Sequence, residues 1–271
     1  VNSVEEFQSH GESLFHKLHL STYPIAIKYL KYLDEIPEDA IRPSAHNNKL
    51  SLCQAFAQSR RLGVVVALTS DDNFCTPSSV IHRWVNLSMQ DLLESQIKQR
   101  WHKDADVEAK RIENLRRVLG DDYIDEPGQY IGFVCSPIHK TTFIPDSIMI
   151  YCDGVQLTHI IHALAYENLY DPVSSFDGFA ESCVKGALIP FITQKPQVVI
   201  PGAGDRIFAG ISEHELGIGL PAFLLFYVLD HLFKTGKRLN IGFPIRSTTP
   251  MGLDERITPG FKYLRKKMDQ L

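Results

Sequence analysis

This 271-residue chain has no long block of basic residues, no apolar run long enough to cross a membrane and no Cys-x-x-Cys pair. Each absence excludes something. The formal charge is −4, so neither a nucleic acid nor an anionic membrane is an expected partner. The most basic stretch, Lys262–Lys267, reads as a solvated helix face in the tail. The longest apolar stretch, Ile218–Phe233, is interrupted by Pro221 and Asp230, and it is shorter than the roughly 20 residues a spanning helix needs. It reads as a buried helix over Pro221–Lys234. Val1–Gln8 has neither the basic start nor the apolar core of a secretory signal. Five cysteines, an odd number, argue against a disulfide framework and for a reducing, cytoplasmic setting. Low-complexity tracts and close internal repeats are also absent.

What is present describes an ordinary folded protein, with 44% hydrophobic and 22% charged residues and length enough for a sizeable core. Val4–His19 has the apolar spacing of a surface helix, with Phe7, Leu14, Phe15 and Leu18 on its inner side. Tyr23–Leu30 reads as a strand that opens on Pro24 and carries Lys28, an anion anchor if it points inward. Leu50–Leu62 reads as a helix with Cys53 in its first turns. Met89–Val118 is mainly helical and polar, with a narrow apolar face of Leu92, Leu93, Ile97 and Trp101. Gly120–Gln129 lacks periodicity and marks a break between two interlocked halves of one domain spanning residues 1–271. Strands are expected at Gln129–Cys135, Ser147–Cys152, Gln197–Ile200 and Glu213–Pro221, and a surface wrap over Asn240–Thr258. Strands and helices alternate loosely, so the fold class is α/β or α+β, a mixed sheet with flanking helices.

Three stretches carry candidate chemistry. The run Gly63–Leu68 is a buried strand, and Asp71-Asp72-Asn73 stops it by bonding to its own backbone. Cys75 follows, just before Pro77 and a helix entry, where a thiolate is favoured. A free cysteine is also often only a small buried hydrophobe. Cys53 and Cys75 flank one helix–strand unit, so a chain reversal between them could bring both to the same end. His159 and His162, three apart on a helix over Val155–Asn168, share a side and could bind a metal; with no third ligand tied to them by spacing, Leu157, Ile160, Ile161 and Leu164 facing a core, with the histidines on the polar face, is the favoured reading. Pro201–Arg206 follows a strand with two glycines, which can form an anion-binding nest. The dinucleotide fingerprint is not met, because Ile207–Ile211 does not read as a helix opening. A tight turn presenting Asp205 and Arg206 is the expectation.

Taken together, Pro24–Lys28, Cys53-Gln54, the acidic loop ending in Cys75, the Cys183 segment, Gly204–Gly210 and Glu215–Ala222 resemble domain-of-unknown-function family 169. The resemblance spans most of Tyr23–Leu232, with Met89–Gln129 as a longer, more variable insertion. That family shows four recurrent cysteines, three of which match Cys53, Cys75 and Cys183; Gly202 stands where the fourth would fall. Cys135 and Cys152 lie in apolar runs outside the motifs and read as core residues. Three widely spaced thiolates suit a 4Fe-4S cluster better than structural zinc, which favours four ligands, often in close pairs. The resemblance itself supplies no activity; the three thiolates lead to the expectation of a cluster with an open iron for redox or Lewis-acid chemistry of the dehydratase or lyase type. Lys28, Arg60, Asp205 and Arg206 are then the candidates for a small anionic substrate. The alternatives are a non-catalytic metal or cofactor carrier using the same thiols, and packing cysteines beside an anion site at Gly202–Arg206. Expected partners are a small-molecule substrate or ligand and, in an oligomer, further copies of the chain.

Overall fold

The structure, a computed structural model, describes residues 2–125, 128–235 and 259–270. In chain order its elements are α1 (Val4–Leu18), β1 (Ile25–Leu30), α2 (Leu52–Leu62), β2 (Val66–Thr69), α3 (Thr76–Ile81), α4 (Met89–Gln99), α5 (Ala105–Leu119) and α6 (Asp121–Asp125). These are followed by β3 (Gly132–Pro137), β4 (Ser147–Cys152), α7 (Gly154–Ala165), a π-helix (Glu181–Leu188), α8 (Ile189–Thr193), β5 (Gln197–Val199), α9 (Ala203–Ala209), β6 (Leu216–Pro221), α10 (Leu224–His231) and α11 (Pro259–Met268). Among the described residues no helix is long and apolar enough to cross a membrane. The stretch 240–258 lies outside the described residues, whereas Lys262–Lys267 falls on α11, whose side chains are exposed.

The six strands form one sheet in the order β2-β3-β1-β4-β6-β5. All five ladders between named strands are antiparallel, and isolated parallel bridges at Ile41–Val66 and Val173–Gln197 add the other direction at the edges. Alternation along the strands divides the core into two layers. Ile25, Ile27, Tyr29, Leu68, Phe133, Met149 and Tyr151 face α2, the π-helix and, further out, α3 to α5. Ala26, Leu30, Val134, Ile148, Ile150, Ile218 and Leu220 face α1, α7 and α10. With both faces covered, β3 and β4 are buried along their whole length, which is why they read as continuous apolar runs.

Local chemistry sets the helix ends. Ser3 and Ser51 cap α1 and α2, each bonding the backbone N–H three residues on while Glu6 or Gln54 reaches back. Gly63, at φ 70°, closes α2 in the left-handed region that favours glycine. The polar stretch 89–118 is split into α4 and α5, because Arg100 turns left-handed and Asp104 caps anew; Trp101 lies in the connection. One expectation is corrected. Residues 203–209 form a helix, not a tight turn, because the Asp205 carboxylate turns back onto the Gly202 N–H and Gly210 terminates the segment at φ 59°.

Candidate functional site

The acidic loop is held in place by its own side chains. Asp72 is fully buried and accepts from Ser44, Arg42 and Thr69, with Arg42 Nη2 at 2.7 Å. Burial works to raise its pKa, but the hydrogen bonds from Ser44, Arg42 and the loop backbone outweigh it and hold the carboxyl at about 2. Asn73, also buried, donates to the Cys75 carbonyl and to the hydroxyls of Ser78 and Ser79, and accepts from the Cys75 N–H. Cys75 thereby becomes the N-cap residue of α3. A parallel bridge between Leu50 and Asn73 lays this loop against the entry of α2. Cys53, in the first turn of α2, is thus carried to the same end as Cys75.

The third cysteine arrives on unusual backbone. Ala180 is left-handed at φ 49° immediately before the π-helix that contains Cys183. Single-turn π segments and strained residues concentrate at functional sites. Glu181 Oε1 accepts from the N–H groups of Asp177 and Gly178 and from Lys185 Nζ at 2.8 Å. Asp205 Oδ2 accepts from the N–H groups of Gly202 and Ser182, tying the start of α9 to the π-helix beside Cys183. Cys53 Sγ contacts Ser51 Oγ at 3.1 Å and the Gly204 carbonyl at 3.8 Å.

These segments enclose a cavity of about 400 Å³ lined by Cys53, Cys75 and Cys183 together, with Gly202 and Asp205 on its wall. Cys53 is buried, while Cys75 and Cys183 are partly exposed. Desolvation, with the Asp205 charge second, pushes the Cys53 thiol up to about 12. The same two causes raise Cys183 well above the ordinary thiol value. Burial likewise raises Asp205 and Glu181, against the hydrogen bonds they accept. Among the described residues no three His, Cys, Asp or Glu side chains are grouped tightly enough to hold a single metal ion. A Cβ at Gly202 would stand 2.4 Å from the Gly178 carbonyl oxygen, so a cysteine there would require the 178 segment to move.

The basic candidates do not join this cavity. Arg60 is fully buried in a two-pronged pair with Glu215, at 2.6 and 3.1 Å, and lies over the Tyr151 ring. Arg206 donates to the carbonyls of Pro201 and Ser212, which staples α9 in place. Lys28 stands 3.9 Å from Glu35. His159 and His162 sit on α7 with ring centroids 6.3 Å apart, on the helix whose Leu157, Ile160 and Leu164 are buried. Cys135 and Cys152 are buried in the sheet, one on each face. Sequence reasoning missed Glu181 and Gln96 as wall residues, and the wall position of Trp101. No spacing rule ties α4 to the thiols, and only the nearness of Glu181 to Cys183 hints at its role.

The comparisons bear on the family. A protein of Methanocaldococcus jannaschii, "Uncharacterized protein MJ0308", is 20% identical over 220 residues, covering 80% of this chain and 90% of the relative. No solved structure matches. The family model DUF169, "Uncharacterised ArCR", matches residues 13–231, a span that includes all three cavity cysteines and every strand of the sheet. This chain belongs to the DUF169 family.

Proposed function

We propose that the protein holds an iron–sulfur cluster of the 4Fe-4S type on Cys53, Cys75 and Cys183, and that it acts on a small molecule entering the same cavity. The observation that carries this reading is the convergence of three thiols, from α2, the loop before α3 and the π-helix, on one cavity. Thiols spread around a 400 Å³ space suit a group larger than one ion, and iron–sulfur clusters are held by such thiolates. The bound group would supply redox chemistry or a Lewis-acidic iron left open by the absence of a fourth cysteine.

The chain's own residues do the rest. Asp72 and Asn73 hold the Cys75 loop rigid, Asp205 fixes the spacing between Gly202 and the π-helix, and Cys53 is oriented by Ser51. Phe74, Trp101 and Phe208 give the cavity an apolar wall. A second reading, a carrier that receives and releases a metal cofactor, is favoured by the partial exposure of Cys75 and Cys183. Protein purified without oxygen should show broad visible absorption that bleaches on reduction, with about four irons and four sulfides per chain. Cys53→Ser, Cys75→Ser and Cys183→Ser should each lose it, while Cys135→Ala and Cys152→Ala keep it. A colourless protein without iron or sulfide would sink the cluster; exchangeable, substoichiometric metal would turn the assignment to the carrier.

A further inference from the structure

The cavity presents charge of one sign. Asp205 and Glu181 line it, and no Lys, Arg or His is among its described wall residues. Lys185 is shared between Asp177 at 2.9 Å and Glu181 at 2.8 Å, so one ammonium faces two carboxylates. Glu181 Oε2 is buried and has no hydrogen-bond partner. Asp205 is bonded by two backbone N–H groups and makes no ion pair with a basic side chain among the described residues. A buried carboxylate with an unfilled acceptor is a position waiting for a donor or a positive charge.

The rim supplies the other half of a recognition pattern. Phe74, Trp101 and Phe208 are 63%, 51% and 53% exposed and all border the same opening. Three large exposed aromatic side chains around one cavity exceed the scatter of single surface hydrophobes. Aromatic faces attract cations as well as apolar groups, and pockets that bind organic ligands pair such walls with a few placed polar groups.

We infer that this cavity recognises an organic cation, an ammonium-bearing ligand whose apolar body lies among Phe74, Trp101 and Phe208 and whose charged head is received by Asp205 and Glu181. The α4–α5 hairpin is then the element that sets ligand choice, since it contributes Ser95, Gln96, Gln99 and the connecting Trp101 to the wall. The small anionic substrate expected from the sequence is replaced by one of opposite charge, because the basic side chains that would have held it are engaged elsewhere. The inference shares its cavity with the proposed function but requires no cluster.

The test is calorimetric titration of the full chain with 2-phenylethylamine and with 3-phenylpropanoate, an amine and an acid of similar body, with iron and sulfide measured on the same preparation. The amine should bind at one site at least about tenfold more tightly than the acid, as expected for an opposite charge combined with an aromatic collar. Asp205→Asn, which keeps the acceptor oxygen for Gly202, and Trp101→Ala, at a half-exposed position, should each weaken it about tenfold or more. Equal or tighter binding of the acid, no binding of either, or amine binding unchanged in both variants would overturn the inference. Amine binding by protein that was purified without oxygen and still holds no iron or sulfide would overturn the cluster and leave the ligand class standing.

Discussion

At the scale of single residues, Arg60 and His82 show how burial reassigns a side chain. Arg60 was a candidate anion anchor by its chemistry, but its guanidinium is spent on Glu215, Thr22 and the Tyr151 face. Arg60→Met leaves Glu215, 6% exposed, without its main partner. It should lower stability by about 3–5 kcal/mol, as for other broken buried pairs, and urea unfolding reads this directly. Wild-type stability in this variant would show that desolvation of the pair cancels its attraction. His82 is 1% exposed, packed between Tyr29 and Trp84, and neither ring nitrogen has a partner. Desolvation pulls its pKa from 6.5 down to about 3. The unfolded chain therefore takes up a proton near pH 6.5 that the folded chain refuses. The stability is fully present above pH 6.5 and falls as pH drops toward 3, by roughly 1.4 kcal/mol per unit. His82→Phe should flatten that dependence in urea midpoints compared between pH 7 and pH 4.5. An unchanged slope would place the acid sensitivity elsewhere.

Element by element, strong periodicity marks local structure. α1, α2, β4 and α10 fall where apolar spacing or a continuous apolar run puts them. The segment 203–209 was misread although its signals are present, namely an acidic residue at the third helical position and a glycine just past the end; Pro201 and two glycines suggested a turn instead. Glycines here differ by their surroundings. Gly202→Ala drives a Cβ to 2.4 Å from the Gly178 oxygen, whereas Gly204→Ala meets only the Phe208 ring at 3.9 Å. The first should destabilise by about 1–3 kcal/mol through overpacking, and the second should stabilise α9 by about 0.5 kcal/mol. Thermal unfolding midpoints of the two variants should move in opposite directions. A Gly202→Ala midpoint equal to wild type would show that the 178 segment yields freely.

In the whole molecule, the sheet interleaves the chain. β3, which follows α6, lies between β2 and β1, which precede it, and β4 pairs with β1 on the other side. Residues 1–119 expressed alone would leave β1 and β2 without β3 and with apolar faces open to water. That fragment should be aggregated or unfolded by circular dichroism and gel filtration, and mixing it with residues 120–271 should be needed for any native signal. A soluble, folded 1–119 fragment would mean that the first half has a core of its own. The interleaving also builds the cavity, because α2, the Cys75 loop, the π-helix and α9 reach a common place only when both halves share one sheet.

The sequence by itself determined the local elements, the division into core and polar positions, the family and the three cysteines worth following, because capping, periodicity and motif order are properties of short stretches. Tertiary structure alone decided which side chains meet. Cys53, Cys75 and Cys183 line one cavity because a bridge at Leu50–Asn73 and the bonds from Asp205 join segments far apart in the chain. Arg60 is withheld from that cavity because a buried cation takes the carboxylate that folding brings to it, and Arg206, half-buried, because its guanidinium is held by the carbonyls of Pro201 and Ser212.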